Sequence, residues 1–305
     1  MLILPAAFGM SAAAGRRFAY EQWDVFTKNA LTGNPLAVFL DARGLSDPEM
    51  QAIARETNLS ETTFVFPRDA RTEADKGVRV RIFTREQELD FAGHPTLGTA
   101  RALFARNGRK VPAKLVLDLN AGPIPVTFED AAGYGEMLQA DAIFAETHDA
   151  AAIAPLLGLK PDDFDPAYPI RNISTGRPNL IAILRSIEVI RRISVDWNST
   201  AQYFSAGDRQ RGFYLLSRET EGKSARVHAR KPGRSGEDPA TGSAAGCAAA
   251  YMVATGIAKK GERVIIEQGS ELLRPSEIYV TADGSSNVRV GGYCAKVFEG
   301  TMLLP

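Results

Sequence analysis

The chain has 305 residues, enough for two domains that each bury a core. Its 36 Lys and Arg balance its 36 Asp and Glu, so no net field draws it to nucleic acid or to an acidic membrane surface. Two cysteines, Cys247 and Cys294, offer neither metal-ligand spacing nor a disulfide framework, and the reducing cytoplasm is the expected compartment.

Residues 1–17 read as an extension. Leu2 to Met10 is apolar and Ser11-Ala12-Ala13-Ala14-Gly15 looks superficially like a cleavage site. A secretory signal carries its positive charge before the apolar run, however, and here Arg16-Arg17 follows it. A chain starting near Arg17 is expected to fold and keep its activity. No later run approaches the ~20 apolar residues of a membrane span.

A first lobe is expected over 18–132. Phe18 to Thr27 reads as a strand, and Leu36 to Leu40 as another after the turn at Gly33-Asn34-Pro35. Ser46-Asp47-Pro48-Glu49 has a capping-box pattern and starts a helix through Met50, Ile53 and Ala54. Thr62 to Phe66 and the alternating Val78 to Phe83 are strands; Thr96 to Asn107 is a helix ended by Gly108. Leu115 to Leu119 and Ile124 to Phe128 complete the lobe, with Asp130 to Gly135 as the linker. The second lobe, 133–305, begins with a helix from Ala151 to Leu157 stopped by Gly158. Strands follow at Leu180 to Leu184 and Phe213 to Leu216, then a long helix from Gly242 to Thr255. Val288 to Val290 and Ala295 to Phe298 are late strands, the last free to return to the first lobe. The two long helices are too apolar for a surface, so each is expected to be wrapped by its own sheet. Cys247, in the run Ala244 to Ala250, reads as a packed helix residue.

The two halves repeat. Gly93-His94-Pro95-Thr96-Leu97-Gly98-Thr99-Ala100 matches Glu237-Asp238-Pro239-Ala240-Thr241-Gly242-Ser243-Ala244 at an offset of 144 residues. Lys28-Asn29-Ala30-Leu31-Thr32-Gly33-Asn34-Pro35 matches Arg171-Asn172-Ile173-Ser174-Thr175-Gly176-Arg177-Pro178 at an offset of 143. Two separate stretches agreeing on one offset indicate a tandem duplication, with a cleft between similar lobes. Each Pro-x-x-Gly turn opens a helix whose N-terminus favours an anion, so a substrate carboxylate is the expected occupant, with Ser243 adding a hydroxyl. Gly98 and Gly242 are expected to leave room for it.

Where the copies differ, they differ in chemical type. His94 corresponds to Asp238, a proton donor facing a carboxylate, although Asp238 before proline also suits an N-cap. Glu61, in Asn58-Leu59-Ser60-Glu61-Thr62-Thr63-Phe64-Val65, sits where a helix gives way to a strand. The offset places its counterpart near Phe204, where there is no acid. A lone carboxylate makes an asymmetric site, suited to moving a proton rather than racemising a centre.

Together with Asp24-Val25-Phe26-Thr27 and Leu31 to Phe39, these motifs resemble the phenazine-biosynthesis isomerase family, the PhzF-like proteins. The resemblance runs from about Phe18 to the end. It implies an α+β fold of two pseudo-symmetric lobes, each a rolled, mostly antiparallel sheet around a central helix, as in diaminopimelate epimerase. It also implies an isomerase without cofactor or metal, in which Glu61 shuttles a proton on a small carboxylate-bearing amino or hydroxy acid, a dihydro-hydroxyanthranilate-like molecule being one candidate. His94 and Asp238 would assist; Ser60, Gly93, Gly242 and Ser243 would bind the substrate. A homodimer is compatible with the family, and no nucleic-acid or membrane partner is expected. Two positions depart from the pattern: Leu273-Arg274-Pro275-Ser276 lacks the usual leading glycine, and Phe83-Thr84-Arg85 has arginine where proline is usual. The alternatives are a two-base epimerase or racemase on the same fold, which needs opposed bases, and a metabolite-binding protein without turnover. The joint presence of Glu61, His94 and Asp238 speaks against the second.

Overall fold

The computed structural model describes residues 15–108, 110, 111, 113–204 and 212–305. Residues 1–14 of the expected extension lie outside these, while Arg16 and Arg17 open the first strand and pair with Leu304 and Leu303. The first half of the chain carries β1 (Arg16–Val25), β2 (Asn34–Phe39), α1 (Asp47–Thr57), β3 (Glu61–Phe66), α2 (Ala70–Lys76), β4 (Val78–Phe83) and β5 (Glu88–Leu89). It continues with α3 (Gly93–Arg106), β6 (Ala113–Leu119), β7 (Gly122–Phe128) and β8 (Gly135–Leu138). The second half carries β9 (Ile143–His148), α4 (Ala150–Ile153), β10 (Ile170–Ser174), β11 (Pro178–Leu184), α5 (Ile187–Arg191), α6 (Trp197–Tyr203) and β12 (Gly212–Ser217). It ends with β13 (Val227–Arg230), α7 (Gly242–Ala254), β14 (Val264–Gln268), β15 (Ser276–Asp283), β16 (Ser286–Gly292) and β17 (Cys294–Leu304). The helix expected over Ala151 to Leu157 is one α-helical turn followed by a tighter 3₁₀ turn, because Pro155 cannot donate the α-helical hydrogen bond.

The strand pairings reproduce the duplication in space. One continuous path of paired strands runs β17-β1-β2-β3-β4-β6-β7-β8 and on through β16-β15-β14-β13-β12-β11-β10-β9. Counted from either end, the parallel pairs fall at the same places: β2 with β3 and β4 with β6 in one half, β11 with β12 and β13 with β14 in the other. All other pairs are antiparallel. The two halves join where β8 pairs with β16, and the last strand of the chain, β17, lies along β1.

Each half wraps its long helix. α3 packs on β1, β2, β3, β6, β7 and β8, and α7 on β10, β11, β15 and β16. Both helices are buried nearly all round, which is why α7 can be built from Gly, Ala, Cys and Met. The inner strands are covered on both faces: Leu36 and Val38 of β2 join the core around α3, while Ala37 and Phe39 join a second core beneath α1 with Met50, Ile53 and Phe64. That double burial accounts for their continuous apolar sequence. A third core, with Ile153, Leu157, Leu180 and Phe213, lies under α4 to α6. Among the described residues no helix is long and apolar enough to cross a membrane.

Candidate active site

Glu61 is placed by a helix stop. α1 ends at Asn58 in the left-handed conformation (φ 53°), two residues turn, and β3 begins at Glu61 beside Leu36 of the parallel strand β2. A cavity of about 130 Å³ at this point is lined by Glu61, Gly93, His94, Asp238, Gly242 and Ser243, and also by Arg177, Asn179 and Lys231. Six of the seven residues expected at the site thus meet there. The seventh, Ser60, is exposed and does not line the cavity.

The two long helices meet end to end. A Cβ on Gly93 would stand 3.1 Å from the Ser243 nitrogen, and one on Gly242 would stand 3.5 Å from the Gly93 Cα. A side chain at Gly93 would crowd the facing backbone. The N-caps are Ala92 and Thr241, and neither side chain caps its helix. First-turn N–H groups therefore face the cavity without a side-chain partner, at the positive ends of two helix dipoles. Asp238 is not the cap of α7. Its Oδ2 accepts from Thr241 Oγ1 at 2.7 Å and its Oδ1 from Asn34 Nδ2 at 2.7 Å. Gly98, expected to face the anion, faces the core instead: a Cβ there would meet Leu36 at 2.6 Å and Val25 at 2.7 Å.

Asn34 organises the acid–base groups. Its Nδ2 also reaches the Ala240 carbonyl at 2.8 Å, and two acceptors fix the orientation of the amide. The same Nδ2 lies 3.1 Å from His94 Nδ1 and shares its two hydrogens among three acceptors. An amide nitrogen cannot accept, so a proton on Nδ1 is disfavoured and the ring proton of neutral His94 is assigned to Nε2. That Nε2 is 3.4 Å from Glu61 Oε2, and both atoms are buried without a hydrogen bond. Burial holds His94 down to about 3, so it is neutral at physiological pH. Glu61 is pushed up to about 8, first by burial and then by the charge of Asp238, with Arg177 opposing. Burial raises Asp238 too, but donors from Thr241, Asn34 and the Ala240 backbone, together with the Lys231 charge, favour its ionised form, whereas no hydrogen bond to Glu61 does so. The site therefore keeps a proton on Glu61 near neutral pH, while the donors around Asp238 favour its charged form over that of Glu61.

Sequence reasoning missed Asn34, Arg177 and Lys231. The first two lay in plain view as the same position of the repeated Thr-Gly-x-Pro turn, differing in chemical type as His94 and Asp238 do. The counterpart of Glu61 is also corrected. Leu36 pairs with Glu61 in one half and Asn179 with Gly212 in the other, so the match is Gly212, not Phe204. The fixed offset fails because the second half inserts extra chain, including α5 and α6, between the paired strands.

A larger cavity, about 520 Å³, shares Arg177 with the first; it is lined by Gln87 to Phe91, Ile124 and Leu138 to Ala140 on one side and by Thr175 to Arg177 from the second half. It contains none of the acid–base groups, and Arg177 lines both spaces, which makes the larger one an antechamber. Neither cysteine lines either cavity. Cys247 is buried with its thiol raised by desolvation, and Cys294 is pushed up to about 12 by burial, so no pair of opposed thiol bases exists. Of the two departures from the family pattern, Arg85 spans Asn58 (3.3 Å) and the Ser235 carbonyl (3.4 Å) at the rim, and Leu273 adopts φ 56°.

The family model for the phenazine biosynthesis-like proteins (PhzC-PhzF) matches residues 23–300. An uncharacterized isomerase of Mesorhizobium japonicum is 37% identical over 93% of this chain and 98% of its own. The trans-2,3-dihydro-3-hydroxyanthranilate isomerase of Pseudomonas aeruginosa is 34% identical over 93% of this chain and 99% of its own. The crystal structure of the PhzF-family protein of Bacillus anthracis superposes with a TM-score of 0.83 at 27% identity, covering 95% of this chain and 100% of that one. Duplicated topology, sequence and structure agree: the chain belongs to the PhzF-like phenazine biosynthesis family and is an isomerase.

Proposed function

We propose that the protein moves a proton, without a cofactor, between carbons of a small carboxylate-bearing amino or hydroxy acid, with Glu61 as the acid–base group. The observation that carries this is a buried carboxyl held near pKa 8, beside a neutral histidine and at the junction of two uncapped helix N-termini. The substrate carboxylate sits on the N–H groups of the Gly93 and Gly242–Ser243 turns. Glu61, once ionised, takes a proton from carbon; the electron pair delocalises toward the carboxylate, where the helix dipoles offset the charge. Glu61, whose carboxyl proton exchanges with solvent, then delivers a proton to another carbon on the same face. His94 donates through Nε2–H, and Asp238 fixes Asn34 and so the His94 tautomer. The name of the Pseudomonas relatives makes a dihydro-hydroxyanthranilate-like substrate the first to try.

Incubation with a panel of small carboxylates in deuterated water tests the reading: a substrate takes up carbon-bound deuterium. Glu61→Gln keeps the shape and removes the proton carrier, so exchange should drop at least ~10²-fold. Near-native exchange by that variant overturns the assignment, and no exchange on any acid would leave a metabolite-binding protein.

A further inference from the structure

The second half of the site is cationic, and its cations have no hydrogen-bonded or ion-paired partner among the described residues. Where Asn34 in the first half binds Asp238 and Ala240, its counterpart Arg177 makes no side-chain hydrogen bond or ion pair with any described residue. Where Glu61 stands in the first half, Gly212 stands in the second; a Cβ on it would clash with the Lys231 nitrogen, so the glycine leaves room for that group where it lies. Lys231 also has no hydrogen-bonded or ion-paired partner among the described residues, although Asp238 attracts it through space. Elsewhere in the protein, partly buried cations are neutralised directly: Arg81 by Glu88, Arg226 by Glu262, Arg230 by Glu237 and Arg274 by Asp24.

Burial first, and then the charge of Arg177, makes it harder for Lys231 to hold its proton, with Asp238 opposing. Arg177 is exposed and Lys231 half-buried, so an anion entering between them would stabilise both charges. The helix N-termini already supply a place for one carboxylate. We propose that Arg177 and Lys231 form a second anion subsite facing Glu61, and that the natural substrate carries two acidic groups, one at the helix junction and one between these cations. The inference rests on reading the cavity as the substrate site. Arg177 also lines the antechamber, so it meets the second acid group as the substrate enters and hands it inward to Lys231.

Calorimetric titration of the whole protein with length-matched acids tests this: succinate against butyrate, and glutarate against pentanoate. Each diacid should bind about tenfold or more tightly than its monoacid, the size of one charge-assisted hydrogen-bonded pair. The double variant Arg177→Met with Lys231→Met should bind the diacid no better than the monoacid, while Lys231→Arg, which keeps the charge, should retain the preference. Melting curves check that each variant folds. Equal affinities in the wild type, or a preference that survives in the double variant, overturn the subsite. The two readings fail separately: proton exchange on monoacids with no diacid preference removes only the subsite. A preference that depends on Arg177 and Lys231 without exchange on any diacid removes only the isomerase assignment.

Discussion

The Nε2 of His94 lies 3.4 Å from Oε2 of Glu61, and neither atom is hydrogen-bonded to any described residue. The two groups stand side by side on the wall of the cavity, where each can turn to a bound substrate. Burying both unpaired costs stability, of the order of 1–3 kcal/mol per group, and active sites commonly retain such a cost.

The first prediction concerns pH. Glu61 must lose its proton before it can take one from carbon, and burial with the nearby Asp238 charge pushes it up to about 8. The second-order rate constant for deuterium exchange should therefore climb about tenfold per pH unit below that value and level off above it. His94, held down to about 3 by burial, adds no inflection across neutral pH. Rates measured from about pH 5.5 to 9.5 decide. A midpoint near 4.5, or a flat profile, would mean that a different group handles the proton.

Asn34 is predicted to act as a positioning residue. It holds Asp238 and the Ala240 carbonyl and assigns the His94 tautomer. Asn34→Ala frees the ring to take the other tautomer, in which Nε2 has no proton to donate. Turnover should drop by about 10- to 100-fold, as it does for other residues that orient a reacting group. The Michaelis constant should move much less, because the helix N–H groups remain. Equal losses in turnover and affinity would show a general collapse of the turn instead.

Much of this was legible in the sequence, and the limits have physical causes. The repeated proline and glycine drew attention to both helix starts, and of the repeated glycines only Gly242 lies at the helix junction, where it meets Gly93. Glu61 was legible from the helix-to-strand break. Lys231 was not: it follows β13 as one charged residue among many in a loop, and only the parallel pairing of β11 with β12 brings the empty side of Gly212 against it. Gly98 misled for a related reason. It lies more than a turn inside α3, where the helix has rotated its face from the cavity to Leu36 and Val25, so valine there would overpack the core by about 1–3 kcal/mol rather than block a ligand.

A buried ionic cluster should make stability fall in alkali. His228 is fully buried between Glu267, 2.9 Å from Nδ1, and Glu271, 2.9 Å from Nε2. Burial alone would lower its pKa, but the two carboxylates outweigh it and raise the ring to about 9. A folded-state value above the ordinary 6.5 means the protonated ring stabilises the fold fully below that pH, and the contribution is lost as pH rises through about 9. Its size is about 3 kcal/mol. The difference in urea-unfolding free energy between wild type and His228→Gln should therefore shrink by that order between about pH 6 and pH 10. A difference that stays constant over the window would show that the ring is neutral in the folded protein.

The final prediction follows from the missing glycine of the family pattern. Leu273 sits at φ 56° with 86% of its surface exposed, so it accepts a left-handed backbone and gains no burial in return. A residue with a Cβ loses about 1–2 kcal/mol there. Glycine removes that strain but frees the unfolded chain, which offsets roughly 0.5–1 kcal/mol. Leu273→Gly should thus stabilise the protein by about 0.5–1 kcal/mol, read as a rise in the urea midpoint at unchanged slope. Activity should be kept, since the next residue does the positioning. Arg274 donates to Asp24 at 2.7 Å and to the Thr32 and Gly33 carbonyls at 2.7 and 2.8 Å, fixing the turn that delivers Asn34 to His94 and Asp238. A destabilised Leu273→Gly variant would show that the leucine side chain makes a contact in solution that compensates its backbone. Lost turnover at normal stability would instead show that the loop's stiffness holds Arg274 in register.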